Sequence, residues 1–363
     1  MSNRMKILVV ADGIGEEIYD RAFYDAFQNL GHDVHRFTWK EYFRHYQYTN
    51  RYETDGNKVK SLYYRLQNKF ITGPVTAKIN RDLIGLCQKI QPDIVFIYRG
   101  THIYPSTLRR IHKTGSSVFG YNNDDPFSTQ YPSYFWRHFK KTIPFYDHIF
   151  AYRWKNIDDY HKIGYHNTSL LRSYYLKDKN YHLSTPHPAY ACDVIFIGHF
   201  EDDGRDLAIK TLLEAGVNLK LFGTGWEKSR LYDFFVQKFG SIKPLYHDEY
   251  NKALNSAKIA LVFLSKLNND TYTRRCFEIP ATQTMMMAEY TADLATLFEE
   301  GKEADFFRNH DELLQKIKKY LNDEELLKQI GISGFTRLLA EGHEVTDRAA
   351  EVVKEYDRMK GLS

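Results

Sequence analysis

Twenty residues, Asp270 to Glu289 (DTYTRRCFEIPATQTMMMAE), gather an acid, two adjacent arginines and a second acid one helical turn beyond them. Glu278 follows Arg275 by three residues and Arg274 by four, so a helix starting near Arg275 sets a carboxylate and a guanidinium on one side. A guanidinium there suits a diphosphate, and a carboxylate suits the paired hydroxyls of a ribose. The same spacing also suits a plain helix start with a surface ion pair, and the residues alone leave both readings open. What precedes them favours a site: Ile259 to Phe263 (IALVF) reads as an inner strand of a parallel sheet. Ligands on open α/β sheets bind at the carboxyl ends of such strands.

Other chemistry-bearing residues fall at equivalent places. Gly13 and Gly15 follow an apolar run at Lys6 to Ala11, Gly198 and His199 follow Val194 to Ile197, and Gly223-Thr224-Gly225-Trp226 follows Leu219 to Phe222. Glycine after a strand lets backbone approach a phosphate or sugar, and the next helix start attracts an anion. A tight βα turn needs glycine for its own geometry as well, and none of these is a full G-x-G-x-x-G. His102 follows the run Ile94 to Tyr98, and Asp124-Asp125 follows Val118 to Tyr121. Each could position a hydroxyl group. Asp124-Asp125-Pro126 also makes a good turn or helix start, and a lone loop histidine is commonly a surface residue.

The elements that must carry these residues alternate strand and helix. The first series is strand 6–11, helix 16–30, strand 33–38, helix 76–90, strand 94–98, helix 105–114, strand 118–121, helix 134–142 and strand 148–151. A polar, proline-containing stretch, 177–190, reads as a linker between residues 1–176 and a second domain at 191–342. The second series is strand 194–197, helix 207–215, strand 219–222, helices 232–239 and 250–257, strand 259–263, helix 275–281 and strand 284–288. Helices at 311–321, 324–339 and 345–360 close it. The repeated βα order predicts two tandem Rossmann-like domains with a cleft between them. Val345, Ala349, Val352, Val353 and Tyr356 share one face of the last helix, so residues 343–363 are expected to cross back to the first domain.

Composition narrows the classes. With 50 basic and 46 acidic residues in 363, the net charge of +4 gives no global field for nucleic acid. The apolar runs are five or six residues long, far short of a membrane span, and MSNRMKILVVADG fits a first strand rather than a signal peptide. Cys87, Cys192 and Cys276 are scattered without disulfide or metal spacing, which points to a reducing, cytoplasmic setting. Aromatic residues reach 15%, and many sit with basic ones, at Tyr42 to Tyr52, Tyr63 to Arg65 and Tyr134 to Lys141. Such clusters could stack on sugars or rest at the inner face of a membrane, and they equally suit ordinary amphipathic helices.

Taken in order, DVIFIGHFEDDGR (193–205), FGTGW (222–226), LYHDEYNKAL (245–254), TRRCFEIPA (273–281), AEYTADLATLFEEGKEADFF (288–307), DELLQKIKKYL (311–321) and the closing Gly342-His343 with Asp347-Arg348 resemble one family. It is the GT-B glycosyltransferases, in the branch similar to glycosyltransferase family four and the spore-maturation-protein-like glycosyltransferases. The likeness runs from Asp193 to the end, and the first half matches only in layout and in YNNDDPF (121–127). The resemblance implies that Glu278 is the second acid of a Glu-x-seven-Glu pattern and holds the donor ribose, with Asp270 standing for the first. It implies that Arg205 grips the diphosphate, with His199 where an arginine is usual and Arg275 a second phosphate ligand. Thr271 to Thr273, with Tyr272 between them, would offer backbone N–H groups to the phosphates or sugar, Gly225-Trp226 would border the base, and Gly15, Gly198, Gly223, Tyr246 and Arg274 complete the expected donor site. From their places at strand ends, His102, Asp124 and Asp125 are expected to position the acceptor hydroxyl or the donor sugar. Thr282-Gln283 replaces the family's small-residue and glycine pair.

The expectation is a metal-independent, retaining transferase that uses a nucleotide sugar as co-substrate, no cofactor, and a polysaccharide or lipid-linked glycan as acceptor. No Asp-x-Asp occurs in the chain, and arginines with backbone donors can stabilise a departing diphosphate electrostatically. A nucleotide-sugar epimerase on the same fold and a decayed nucleotide-sugar-binding protein are the rivals. A dinucleotide dehydrogenase is disfavoured because neither first strand leads into G-x-G-x-x-G.

Overall fold

The computed structural model describes residues 4–43 and 58–362. The expected aromatic cluster from Arg44 to Tyr52 lies outside them. Along the chain the elements are β1 (Lys6–Ala11), α1 (Asp20–Asn29), β2 (Asp33–Thr38), α2 (Lys58–Phe70), α3 (Pro74–Ile90), β3 (Ile94–Tyr98), α4 (Pro105–His112), β4 (Ser117–Asn122), α5 (Arg137–Thr142), β5 (His148–Ala151), α6 (Trp154–Lys162) and β6 (Thr168–Leu170). The second series is β7 (Cys192–Ile197), α7 (Arg205–Glu214), β8 (Leu219–Phe222), α8 (Tyr232–Phe239), α9 (His247–Asn255), β9 (Ala257–Val262), α10 (Arg275–Ala281), β10 (Met285–Glu289), α11 (Leu294–Leu297), β11 (Asp305–Phe307), α12 (His310–Leu321), α13 (Glu324–Ala340) and α14 (Val345–Lys360).

Two parallel sheets result. The first runs β2-β1-β3-β4-β5-β6 and the second β11-β10-β9-β7-β8. Inner strands such as β3 (IVFIY) are buried along their whole length, as an apolar run without alternation requires. Val10, Val95, Ile97 and Trp39 join one core; Phe196, Leu261, Trp226 and Met287 join the other. In each sheet the strand order reverses once, between β1 and β3 and between β7 and β9. Loops diverge there, and their residues can line a crevice.

The chain divides into a first unit, up to Arg172 with the segment from Val345 onward, and a second unit, Ser173–Glu344. Within the first unit α14 packs against α1, burying Val345, Ala349, Val352 and Val353. The stretch 177–190, read above as a linker, is lashed to the second unit. Backbone N–H groups of Tyr181 and Leu183 donate to the side chains of Asn251 and Asn255 (3.2 and 2.6 Å), and that of His187 to Ser256 Oγ (2.8 Å). Side-chain acceptors on and just after α9 satisfy a segment that has no ladder, which moves the boundary to Arg172–Ser173.

Candidate functional site

In the second unit, the β7/β9 reversal sets the Gly198–His199 turn beside the loop that leads into α10. Arg275, first in α10, reaches across it: Nη1 donates to the carbonyl oxygen of Ile197 at 3.0 Å, and its guanidinium lies 5.9 Å from the Phe196 ring centre. Space for it depends on Gly198, where a Cβ would lie 2.9 Å from Arg275 Nη1. Arg275 Nε and Thr273 Oγ1 are both buried with no hydrogen-bond partner among the described residues. One turn on, Glu278 is 5% exposed. It accepts from Arg274 Nε at 2.7 Å and from the Tyr250 hydroxyl at 2.8 Å, leaving carboxylate lone pairs still open. Burial, reinforced by the charge of Glu278, pushes the Tyr250 phenol well above its usual range, so Tyr250 is a fixed donor.

The loops around this core are tied to one another. A Cβ on Gly223 would lie 1.8 Å from the Gly198 oxygen, at a φ of +146°, so only glycine lets the two turns meet. His199 is half exposed and its Nε2 sits 2.7 Å from Glu201 Oε1. Burial works against the Glu201 charge, but the His199 hydrogen bond and the Arg205 guanidinium outweigh it and hold Glu201 down to about 2. Asp270 lies in the loop, its backbone N–H on the Ser265 carbonyl at 2.9 Å. The Thr271 hydroxyl donates to Asp293 at 2.6 Å, while Tyr272 is fully buried. Gln283 adopts φ +60°, the left-handed backbone a glycine takes at no cost, so its replacement of a glycine preserves the local course of the chain.

Several expected ligand residues have other work. Arg205 is 1% exposed, and its fork grips Asp203 through Nε–Oδ1 (2.8 Å) and Nη2–Oδ2 (2.6 Å). Its Nη1 donates to the His199 carbonyl at 2.7 Å, so Arg205 holds the loop and does not present a free guanidinium to a diphosphate. Trp226 is 1% exposed, with Nε1 on the Gly198 carbonyl at 3.0 Å, and packs against Phe196, Phe200 and Phe235. It supports the turn from beneath and does not border a base. Tyr246 is exposed beside His247, and the tyrosine of that motif that reaches Glu278 is the half-buried Tyr250, four residues later. Gly225 lies in the turn between β8 and Trp226.

In the first unit, the β1/β3 reversal carries an ion cluster missed in sequence. Arg99, at φ +54°, places Nη2 2.7 Å from Asp124 and Nη1 3.5 Å from Asp12. Burial works against the Arg99 charge, yet Asp124 and Asp12 overcome it and keep the guanidinium charged; burial pushes Asp12 up despite Arg99. Asp12, Trp39, Lys40, Arg99, Thr101 and His102 line a recess of about 50 Å³. His102 is 3% exposed, with Nδ1 3.0 Å from the Thr101 hydroxyl. Its Nε2 lacks a partner among the described residues. Burial, with His138 adding to it, pushes His102 down to about 3, so the ring is neutral at ordinary pH. Asp125 does not join this cluster: fully buried, it accepts from the Phe127 N–H (2.9 Å), Asn156 Nδ2 (2.8 Å) and Lys155 Nζ (3.1 Å). It builds the turn after β4. Gly15 lies in the turn after β1, against the Tyr19 ring.

Two parallel, switch-point sheets in one chain, each with polar groups at the carboxyl ends of its strands, define the GT-B fold. Residues 205–354 match the family model described as glycosyl transferase-like, so the chain carries a glycosyl transferase-like domain over that span. Among solved structures, sucrose-phosphate synthase from Thermosynechococcus elongatus superposes with a TM-score of 0.68 at 13% identity, covering 99% of this chain and 100% of that one. HepE from Anabaena, in complex with UDP and glucose, gives 0.63 at 11% identity, covering 97% and 99%. A putative UDP-N-acetylglucosamine 2-epimerase from Listeria monocytogenes gives 0.61 at 10%, covering 99% and 98%. No curated protein matches the chain by sequence.

Proposed function

We propose that this protein transfers a glycosyl group from a nucleoside diphosphate sugar to a hydroxyl of a polysaccharide or lipid-linked glycan. The observation that carries the reading is the group at the β7/β9 reversal. A buried carboxylate, Glu278, stands one turn from Arg275, whose Nε, like the hydroxyl of Thr273 two residues before it, is buried with no hydrogen-bond partner among the described residues. These groups lie within the glycosyl transferase-like span. Glu278 accepts the ribose hydroxyls, with Arg274 and Tyr250 fixing its orientation. Arg275 and Thr273 donate to the diphosphate and stabilise the charge that grows as it departs, without a metal ion. Asp270 and the loop through Thr271 to Thr273 border the donor sugar, and His199 stands at its phosphate side.

In the reaction the bond from the anomeric carbon to the donor phosphate oxygen breaks and a bond to the acceptor oxygen forms. The acceptor proton passes to the departing phosphate oxygen on the same face, which retains anomeric configuration and needs no protein nucleophile. HepE in complex with UDP and glucose makes UDP and UDP-glucose the first probes to try. Calorimetric titration with a panel of nucleoside diphosphates should give one that binds, and its sugar should be consumed faster when a glycan acceptor is added. Consumption of the donor at the same rate without acceptor, with an epimeric sugar nucleotide appearing, would replace transfer by epimerisation; binding without any turnover would leave a binding protein.

A further inference from the structure

Helix α2 is inside out. Its apolar residues Val59, Leu62, Tyr63, Leu66 and Phe70 recur at three- and four-residue spacing and fall within about 100° of helical arc. On a helix of a globular unit that stripe ordinarily faces the core. Here Val59 is 79% exposed and the other four are 38–53% exposed, whereas Gln67 and Asn68 are 7% and 3% exposed. The inward side has its own reason. Gln67 Oε1 accepts the Val75 N–H at 2.8 Å, near the start of α3. Gln67, with Tyr64 packed on the core beside it, holds α2 to the unit, and the five residues of the stripe are left facing outward.

The charged residues of α2 itself have one sign. From Lys58 to Arg81 the sequence has no Asp or Glu, and Lys60, Arg65 and Lys69 belong to α2. At the end of the helix, Arg137 Nη2 donates to the Phe70 and Ile71 carbonyls at 2.6 and 2.9 Å, and the Phe70 and Tyr134 ring centres are 5.2 Å apart. This ties α5 to α2, and α5 adds exposed Lys140 and Lys141 in a stretch, Pro126 to Tyr146, that also lacks acids.

We infer that α2 is an interfacial helix that lies on the surface of an anionic phospholipid bilayer. Leu62, Tyr63, Leu66 and Phe70 enter the boundary between headgroups and acyl chains, and the lysines and arginines beside them meet lipid phosphates. A second copy of this chain fits the face poorly. Two copies of α2 brought together about a two-fold axis would oppose basic residues with basic residues, since the helix carries no acid of its own. No helix among the described residues is long and apolar enough to cross a membrane, so the contact is peripheral. It is independent of the transfer reaction and would bring the chain to any acceptor anchored in lipid.

The test is co-sedimentation of the whole chain with vesicles of phosphatidylcholine alone and of phosphatidylcholine with about one third phosphatidylglycerol. Wild type should sediment with the anionic vesicles, far less with the neutral ones, and be released by molar salt. Leu62→Glu/Leu66→Glu should lose vesicle binding while keeping the wild-type circular dichroism and urea transition, since both side chains are exposed. Lys60→Ala/Lys69→Ala, which leaves the apolar stripe intact, should weaken partitioning by about thirty-fold, from roughly a factor of five per basic residue. Absence of wild-type binding, or equal binding by wild type and both variants, overturns the inference. So does a dimer in gel filtration that the Leu62→Glu/Leu66→Glu variant dissolves, which would make a second copy the occupant.

Discussion

Replacing Arg205 with methionine separates a residue that holds a loop from one that holds a ligand. The side chain of Arg205 is 1% exposed and that of its partner Asp203 is 7% exposed, so the pair is screened little by solvent. Methionine keeps much of the aliphatic volume against Phe263, over which the guanidinium lies at 5.8 Å, but removes every donor. Asp203 is then left as a buried carboxylate whose bidentate partner is gone. Breaking one side of a buried ion pair costs about 3–5 kcal/mol. The His199 carbonyl loses its Arg205 donor as well, at about 1 kcal/mol. Against a typical domain stability of about 5–15 kcal/mol, the second unit should lose about a quarter or more of its margin. Urea titration read by hydrogen exchange at β7 and β9 amides reports that unit separately from the first. Adding Asp203→Leu to Arg205→Met should restore most of the loss, because an apolar pair of similar volume is close to neutral. Nucleoside diphosphate affinity, measured well below the unfolding midpoint, should fall only as far as the loop moves. An Arg205→Met protein with an unchanged urea midpoint and abolished diphosphate binding would falsify this reasoning and return Arg205 to the ligand.

Glu278→Ala should weaken nucleoside diphosphate binding by about 1.5–3 kcal/mol, or roughly ten- to more than a hundredfold in Kd, while orphaning the Tyr250 hydroxyl. Calorimetry on a folded variant that gives the wild-type Kd would remove Glu278 from the ribose. In the first unit, His148 Nδ1 donates to the Glu355 carboxylate across 3.0 Å, and burial pushes its folded pKa from 6.5 down to about 4 even though Glu355 works the other way. The unfolded chain therefore takes up this proton first as pH falls. Stability contributed by neutral His148 is complete above about 6.5 and is lost between there and about 4, with an upper limit of about 3 kcal/mol. Unfolding free energies between pH 7.5 and 4.5 should show a shallower slope in His148→Gln than in wild type, and parallel slopes would count against the assignment.

What the sequence discloses here is periodicity and residue type, and what it withholds is the partner of each polar group. The inner strands were legible because parallel strands buried on both faces are uninterrupted apolar runs. The edge strands β6 (TSL) and β11 (DFF) were not, since three residues make no period. Helix α2 was legible only as the aromatic and basic cluster Tyr63 to Arg65, which suited an amphipathic helix; which way its apolar side faces is set by the fold. Arg274 and Glu278 were legible as neighbours at helical spacing. Their burial, and the Tyr250 hydroxyl that completes the group, come from α9 and only the fold could bring them. Arg205 misled because a basic residue at a helix start looks the same whether it faces an anion or, as here, an aspartate two residues back. Trp226 misled because an aromatic after glycines fits a base platform as well as a plug under a turn.

The return of α14 to the first unit also orders events in time. Residues of the second unit are contiguous, from Ser173 to Glu344, whereas the first unit is assembled from segments on either side of it. The first unit has all its strands far earlier, yet the flank of α1 that α14 covers stays bare until the last turn of the chain emerges. A nascent chain therefore passes through a period in which its older half has all its strands but lacks α14, with apolar α1 surface available to chaperones or to misassembly throughout it.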